Sequence, residues 1–417
     1  LQPVRGGARG SGVTPTVSVI QKMASTKKLW FNLLLVAGGV VAALLLLEIC
    51  ARFLPPPFKD TTNAAEACWP ATGWRGRAGF TSTVATEGYV HDLALNSQGM
   101  HDTEHPLPKP ANTFRILLLG DSFVHAIHVK ERETAHQVLE DSLNKLGLPQ
   151  KFEVLSTGVS GWGTAQQLLY YRTEGRAYQP DLVLLMFYLG NDVKDNLPGR
   201  GITANGHNCY TPYFVLNSAN QLDPVPWQFA PGPPPALGQS SPLKKAANNL
   251  LALIYRHSAL YAQLEPLLSP AEIKASMLDF YLGQNATFDY ALNLTYALVN
   301  QLRQETQADG ARFGVVLISP LNLLEFEQMD AAGREQIYQK LPAMRRAETM
   351  PPPNVTIAGQ ISAGGSPVLD LLPPFLNSGA AGSPPLYFKQ DQHWPVAGNR
   401  LAGETIAAWL IDQHLAP

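Results

Sequence analysis

The chain has 417 residues, 45% of them hydrophobic and 15% charged, with a formal net charge of −2 at neutral pH. Such a composition supplies enough apolar surface for a sizeable core and excludes global disorder. No basic block stands outside the N-terminal region, so the footprint of a nucleic-acid binder is missing too.

Residues 1–22 are rich in Gly, Ser and Thr. Met23, followed by a short basic stretch, reads as the natural start, which makes 1–22 an upstream extension and 1–28 a cytoplasmic segment. The next stretch, "LWFNLLLVAGGVVAALLLL", has Asn32 as its one polar side chain. Roughly 20 such residues in a helix match the hydrocarbon thickness of a bilayer, so 29–50 is expected to be a transmembrane anchor. Lys22, Lys27 and Lys28 precede it, and the positive-inside bias puts everything after it outside the cytoplasm. "LLLLEICARFL" lacks a small-x-small cleavage site, which favours an anchor over a removed signal. Residues 51–112 open with the Pro-rich "LPPPFKD" and read as a linker and irregular apron.

From residue 114 the pattern changes. "FRILLLG" (114–120), "FEVLST" (152–157), "DLVLLMFY" (181–188), "RFGVVLIS" (312–319) and "SPVLDLL" (366–372) are apolar runs bounded by turn residues. Near-continuous hydrophobicity suits parallel strands covered on both faces. Helix-like stretches fall between and after them at 132–147, 163–175, 287–307, 323–348 and 396–415. Alternation of this kind predicts an α/β fold, a three-layer, doubly wound, flavodoxin-like parallel sheet. Residues 197–242 break the rhythm with Pro, Gly, Asn and scattered aromatics, and are expected to form an insertion acting as rim or lid.

Ser122, in "LLLGDSF", directly follows a strand, where a parallel sheet exposes side chains at its carboxyl end. Taken alone, a helix N-cap is the commoner job for such a serine. Other polar elements stand at equivalent places: Gly158 and Gly161 in "STGVSGWGT", Asn191 and Asp192 in "FYLGND", and Asp391 and His393 in "KQDQHWP". In an extended backbone, residues two apart project from one side, so Asp391 would meet the His393 imidazole. A nucleophilic serine needs such a base, an orienting group and oxyanion donors. Gly158 reads as a turn glycine. Trp162 and Trp394 flank the site as candidate substrate-binding walls.

These blocks, in this order, resemble the SGNH (GDSL-type) hydrolase superfamily over roughly residues 90–415. "NSQGMHD", "GDSF" and "FYLGND" look most like its membrane-anchored bacterial branch. The resemblance implies a hydrolase domain over 113–417 with Ser122 as nucleophile and His393 as base. It also implies an oxyanion hole from the N–H groups of Ser122 and Gly161 and the side chain of Asn191, with no cofactor and no metal. One departure stands out: the usual Asp-x-x-His aspartate position holds Gln390, and Asp391 is assigned the orienting role. Asp-x-His spacing is also seen in alginate O-acetyltransferase-like proteins. The expected function is an extracytoplasmic serine esterase acting on acyl or acetyl esters of a glycan or lipid. The alternatives are an O-acetyltransferase of a cell-envelope polysaccharide and an inactive glycan-binding relic.

His125 and His128 lack an accompanying acidic or cysteine cluster and read as rim or packing histidines rather than metal ligands. Cys68 and Cys209 would both lie on the oxidising side, and the sequence leaves open whether they pair or stand as two free thiols. Asn285, Asn293 and Asn354 lie in Asn-x-Ser/Thr sequons, which matter only in a eukaryotic secretory host.

Overall fold

The apolar run near the N-terminus folds into one long helix, Val17–Ala51. Within it Trp30–Cys50 has a mean hydropathy of 2.6 and is long and apolar enough to cross a membrane. Its side chains are open, Trp30 being 64% exposed. The computed structural model describes residues 17–51, 62–87, 89–204, 207–225, 280, 286–378 and 384–417. The N-terminal helix belongs to one unit; residues 56–240 and 266–417 belong to another.

The second unit is built on five parallel strands: β1 (Thr113–Leu119), β2 (Lys151–Ser156), β3 (Leu182–Tyr188), β4 (Arg312–Ile318) and β5 (Val368–Asp370). Their order is β2-β1-β3-β4-β5. That is the flavodoxin-like order, whose switch point lies between β1 and β3. Leu117 of β1 pairs with Leu155 on one side and Val183 on the other. All residues of β1 and β3 are buried, as their unbroken apolar sequence requires. Helices α1 (Ala135–Asn144) and α2 (Val396–Asp412) pair against one face of the sheet, and α3 (Thr164–Thr173) and α4 (Ala286–Ala308) against the other.

The α1–α2 contact fixes where the C-terminal segment runs. A Cβ on Gly403 would lie 2.7 Å from both the Ala135 carbonyl oxygen and Val138, so only glycine permits this approach. Asn399 locks it, its Oδ1 accepting the Ala135 N–H at 3.0 Å and its Nδ2 donating to the Trp394 carbonyl at 2.9 Å. Residues 391–394 are thereby brought over the carboxyl end of β1.

Several sequence expectations change. The apron forms two antiparallel hairpins, Glu66–Trp69 with Gly73–Gly76 and Thr81–Thr86 with Tyr89–Ala94. The first inserts Trp74, fully buried, into the main core. The 323–348 stretch is two α-helices, Leu321–Gln328 and Ala331–Lys340, and a 3-10 helix, Pro342–Glu348, the first break falling where Asp330 caps the second helix by accepting the Gly333 N–H at 2.8 Å. A helix over Pro353–Ala363 was not expected, and β5 is only three residues long because a helix begins at Leu372. Within the 197–242 insertion, residues 201–225 make two hairpins that pack into the core through Cys209 and Phe214. They are scaffold rather than lid; residues 226–242 lie outside the described residues. Cys68 and Cys209 are disulfide-bonded, with Cα atoms 5.2 Å apart, which decides a pairing the sequence left open. The hairpin at 66–76 packs on the one at 201–210, a proximity that a separation of 141 residues conceals. Asn354 is buried with its amide on Asp370, which leaves no acceptor for a glycan there; Asn293 lies in α4 and Asn285 is outside the described residues.

Candidate active site

β1 ends at the switch point, and Gly120 turns the chain where a side chain would collide with Val124. A one-turn helix, Ser122–His125, follows. Asp121 caps it, Oδ1 accepting the Phe123 N–H at 3.0 Å, so the cap role belongs to Asp121 and Ser122 stands free at the first helical position. Gly158, after β2, is more than a turn glycine: its missing side chain admits Val124, and a Cβ there would lie 2.4 Å from Val124 Cβ.

Three sequence-selected residues meet. Ser122 Oγ lies 2.7 Å from His393 Nε2, and His393 Nδ1 lies 2.7 Å from Asp391 Oδ1. Because the carboxylate can only accept, Nδ1 carries the hydrogen and a neutral ring presents its Nε2 lone pair to the hydroxyl. This is the connectivity by which an imidazole takes a proton from a serine. Asp391 is only 6% exposed. Burial alone would raise its pKa, but the His128 and His393 imidazoles outweigh that and hold it below the usual carboxylate range.

The backbone under this pair is not extended. Gln392 sits in the left-handed region at φ 67°, and the turn closes with the Phe388 N–H donating to the His393 carbonyl at 2.8 Å. Asp391 and His393 therefore meet across a turn, and the His393 N–H also donates to Asp391 Oδ1, at 3.3 Å.

Two groups hold this turn, one unmarked in the sequence and one read there as a rim or packing histidine. Glu87, at the tip of the second apron hairpin, accepts the backbone N–H groups of Lys389 at 2.8 Å, of Asp391 at 3.0 Å, and of Gln390. His128 is buried and stacks on His393 with ring centroids 4.1 Å apart and planes 13° from parallel. Its Nε2 lies 3.5 Å from the same Asp391 oxygen. Burial, then the neighbouring His393, lowers the His128 pKa to about 3, so His128 is a neutral ring at ordinary pH. His125 is a packing histidine whose Nδ1 contacts Ser160 Oγ at 3.0 Å. Asp391, His128 and His393 offer three donor atoms within 4.8 Å of one another, but the 2.7 Å contact already commits Asp391 and His393 to each other.

Gly161, expected as an oxyanion donor, lies in the loop after β2 at φ 74°, a conformation that favours glycine. The loop is fixed from the apron by a reciprocal pair: Trp74 Nε1 donates to the Ser160 carbonyl and Trp162 Nε1 to the Trp74 carbonyl, each at 3.0 Å. Trp162 is thus packed in the core, 1% exposed. Trp394 is also core, packed between Phe123 and Phe375. Asn191 stands two residues beyond the Leu189 that follows β3, at the N-terminus of a short helix, Asp192–Asp195, and its Oδ1 is buried without a protein partner. Buried carboxyls lie below. Asp121 is raised by burial, Asp192 is raised well above the usual range by burial and then by Asp121, and Asp195 is raised by burial to about 7.

No protein-family model and no curated protein matches the chain. Solved structures with a similar fold include an acetyl xylan esterase, 12% identical, which covers 71% of this chain and 100% of its own at a TM-score of 0.34. Another is a lipase/acylhydrolase from Enterococcus faecalis, 14% identical, covering 72% of this chain and 96% of its own at 0.34. A putative lipolytic protein of the G-D-S-L family from Desulfitobacterium hafniense is 11% identical over 70% of this chain and 98% of its own, at 0.32. At such identities and scores the reading of the site rests on its own geometry.

Proposed function

We propose that this chain is a serine ester hydrolase of the SGNH type, anchored in a membrane by its N-terminal helix and acting on the extracytoplasmic side. The observation that carries it is the Ser122–His393–Asp391 relay, with both contacts at 2.7 Å, at the switch point of the sheet. Ser122 Oγ attacks the ester carbonyl while His393 Nε2 takes its proton, and Asp391 stabilises the imidazolium. The N–H groups of Ser122 and Gly161 and the Asn191 amide receive the oxyanion. His393 then protonates the departing alcohol and activates a water, which releases the acid and restores the serine. The Cys68–Cys209 bridge supports the outward placement, because disulfides persist in oxidising compartments. An acyl or acetyl ester of a glycan or lipid is the substrate class.

The test uses the full chain in mild detergent with a fluorophosphonate probe and a series of short p-nitrophenyl esters. Wild type should be labelled and turn over; Ser122→Ala should lose both while keeping its melting transition. A folded wild type without labelling or turnover would sink the proposal. Turnover that rises only when an oligosaccharide acceptor is added would replace hydrolysis with acyl transfer.

A further inference from the structure

A second polar cluster lies outside the relay, where the loop after the apron meets the start of α1. Asp102, Glu131 and His136 place one carboxylate oxygen each and one imidazole nitrogen within 4.8 Å of one another. Hydrogen bonding fixes the state of the imidazole. Thr134 Oγ1 donates its hydrogen to the Glu131 carbonyl at 2.6 Å, so toward His136 Nδ1, 2.8 Å away, it can only accept. His136 Nδ1 therefore carries a hydrogen, and Nε2 is the other, inward-facing nitrogen. His136 is 2% exposed and its Nε2 has no hydrogen-bond partner. Asp102 Oδ1 lies 3.3 Å from it while the other Asp102 oxygen faces His105 Nε2 at 3.1 Å, and Glu131 Oε1 is likewise buried without a hydrogen-bond partner. One imidazole nitrogen and two carboxylates thus gather around a common point, a donor set that a cation or a proton would complete.

We propose that Asp102, Glu131 and His136 bind a first-row divalent cation, with zinc the fitting member. Two donors at about 2.0–2.2 Å from one tetrahedral ion stand roughly 3.4 Å apart, which matches the 3.3 Å between His136 Nε2 and Asp102 Oδ1. The outer partners of such a site are in place. Thr134 holds the far nitrogen of the imidazole, and the N–H groups of Thr103 at 2.7 Å and Ser156 at 2.9 Å hold the two oxygens of Asp102. Two carboxylates and one imidazole leave a coordination position for water, and the carboxylate charges balance the ion. The ion would clasp the apron loop to the segment that follows the nucleophile helix, where His101 Nδ1 already touches the His125 carbonyl at 3.0 Å.

The competing occupant is a proton on Nε2, and metal titration separates the two. Full-length protein in mild detergent, stripped with EDTA, is titrated calorimetrically with zinc chloride, and cobalt(II) is added in parallel for its ligand-field absorption. One equivalent should bind, with a raised melting temperature. Glu131→Gln and His136→Gln should each weaken binding by at least the roughly 10–100-fold that losing even an outer partner costs. Glu131 is only partly buried, so that variant stays informative if His136→Gln fails to fold. His393→Ala should bind as wild type does. A folded wild type with no stoichiometric binding overturns the proposal, as does binding indifferent to both ligand variants or abolished by His393→Ala.

Discussion

Asp391→Asn is the sharpest perturbation of the proposed relay. The carboxylate lies 2.7 Å from His393 Nδ1, and its attraction for the ring becomes a full ion pair only when Nε2 has taken the serine proton. With an effective dielectric constant of about 20, 332/(ε·r) gives roughly 6 kcal/mol for that pair. This is a ceiling, since the His393 side chain is 20% exposed and water screens it. Halving it leaves about 3 kcal/mol, or a loss of ~10²-fold in kcat, with more if the amide turns its NH2 toward Nδ1 and imposes the wrong tautomer. The loss should fall on kcat rather than KM, because the pair forms in the transition state. The replacing amide oxygen can still accept the His393 N–H, so the turn should persist and the melting temperature should change little. Steady-state kinetics on p-nitrophenyl acetate decide it. A kcat within about fivefold of wild type, with His393→Ala inactive, would refute the assignment of Asp391 as the orienting group.

Further outcomes follow from the supports of that turn. Glu87→Gln should lower kcat by about tenfold, short of the ~10² that a 1 Å misplacement of the reacting groups costs, and fluorophosphonate labelling should slow in parallel. Gln392→Gly should be neutral or stabilising in a melt, whereas Gln392→Val should cost about 1–2 kcal/mol or more, since a branched side chain at φ 67° is strained. His128→Phe preserves ring stacking but removes a histidine whose native pKa, about 3, lies below its ordinary 6.5. Unfolded wild type takes up that proton below pH 6.5 and the native state does not, so wild-type stability falls there. The variant should gain on wild type by roughly 2 kcal/mol between pH 6.5 and 5 in urea melts, the comparison cancelling Asp192 and the other buried acids. A constant difference across that range would contradict it. Reducing Cys68–Cys209, which closes a loop of sequence separation 141, should cost up to about 5 kcal/mol and show as a lower urea midpoint.

The five strands were legible because parallel strands covered on both faces leave unbroken apolar runs, as in Ile116–Leu119 and Leu182–Tyr188, and turn residues punctuate them. Ser122 and His393, which the fold brings within 2.7 Å, stood out because side-chain chemistry at strand ends leaves a mark in the sequence. What stayed hidden works through the backbone or across long separations. Glu87 grips three main-chain N–H groups some 300 residues away, and main-chain donors carry no residue signature. Trp74 and Trp162 exchange hydrogen bonds with each other's backbone neighbourhood, so each alone looked like an aromatic beside a glycine. Nothing local announced the left-handed Gln392 either, since glutamine is uncommon there.

These hidden contacts bear on the aspartate displaced by one position. A shorter spacing between acid and base leaves fewer torsions with which to aim the carboxylate. The chain meets this with a turn through Gln392, closed by the bond from Phe388 to the His393 carbonyl. A turn with a non-glycine residue at positive φ persists only when its surroundings over-determine it. Here Glu87 gathers the N–H groups ahead of the turn, Asn399 ties the Trp394 carbonyl behind it, and His128 lies flat against the imidazole. Each comes from a different part of the fold: the apron, the C-terminal helix and the loop after the nucleophile. The apron is therefore part of the site's construction, since it supplies Glu87 to the base and Trp74 to the Gly161 loop. Removing it would be expected to leave the sheet and its serine while freeing both the proposed base and the proposed oxyanion donor from their supports.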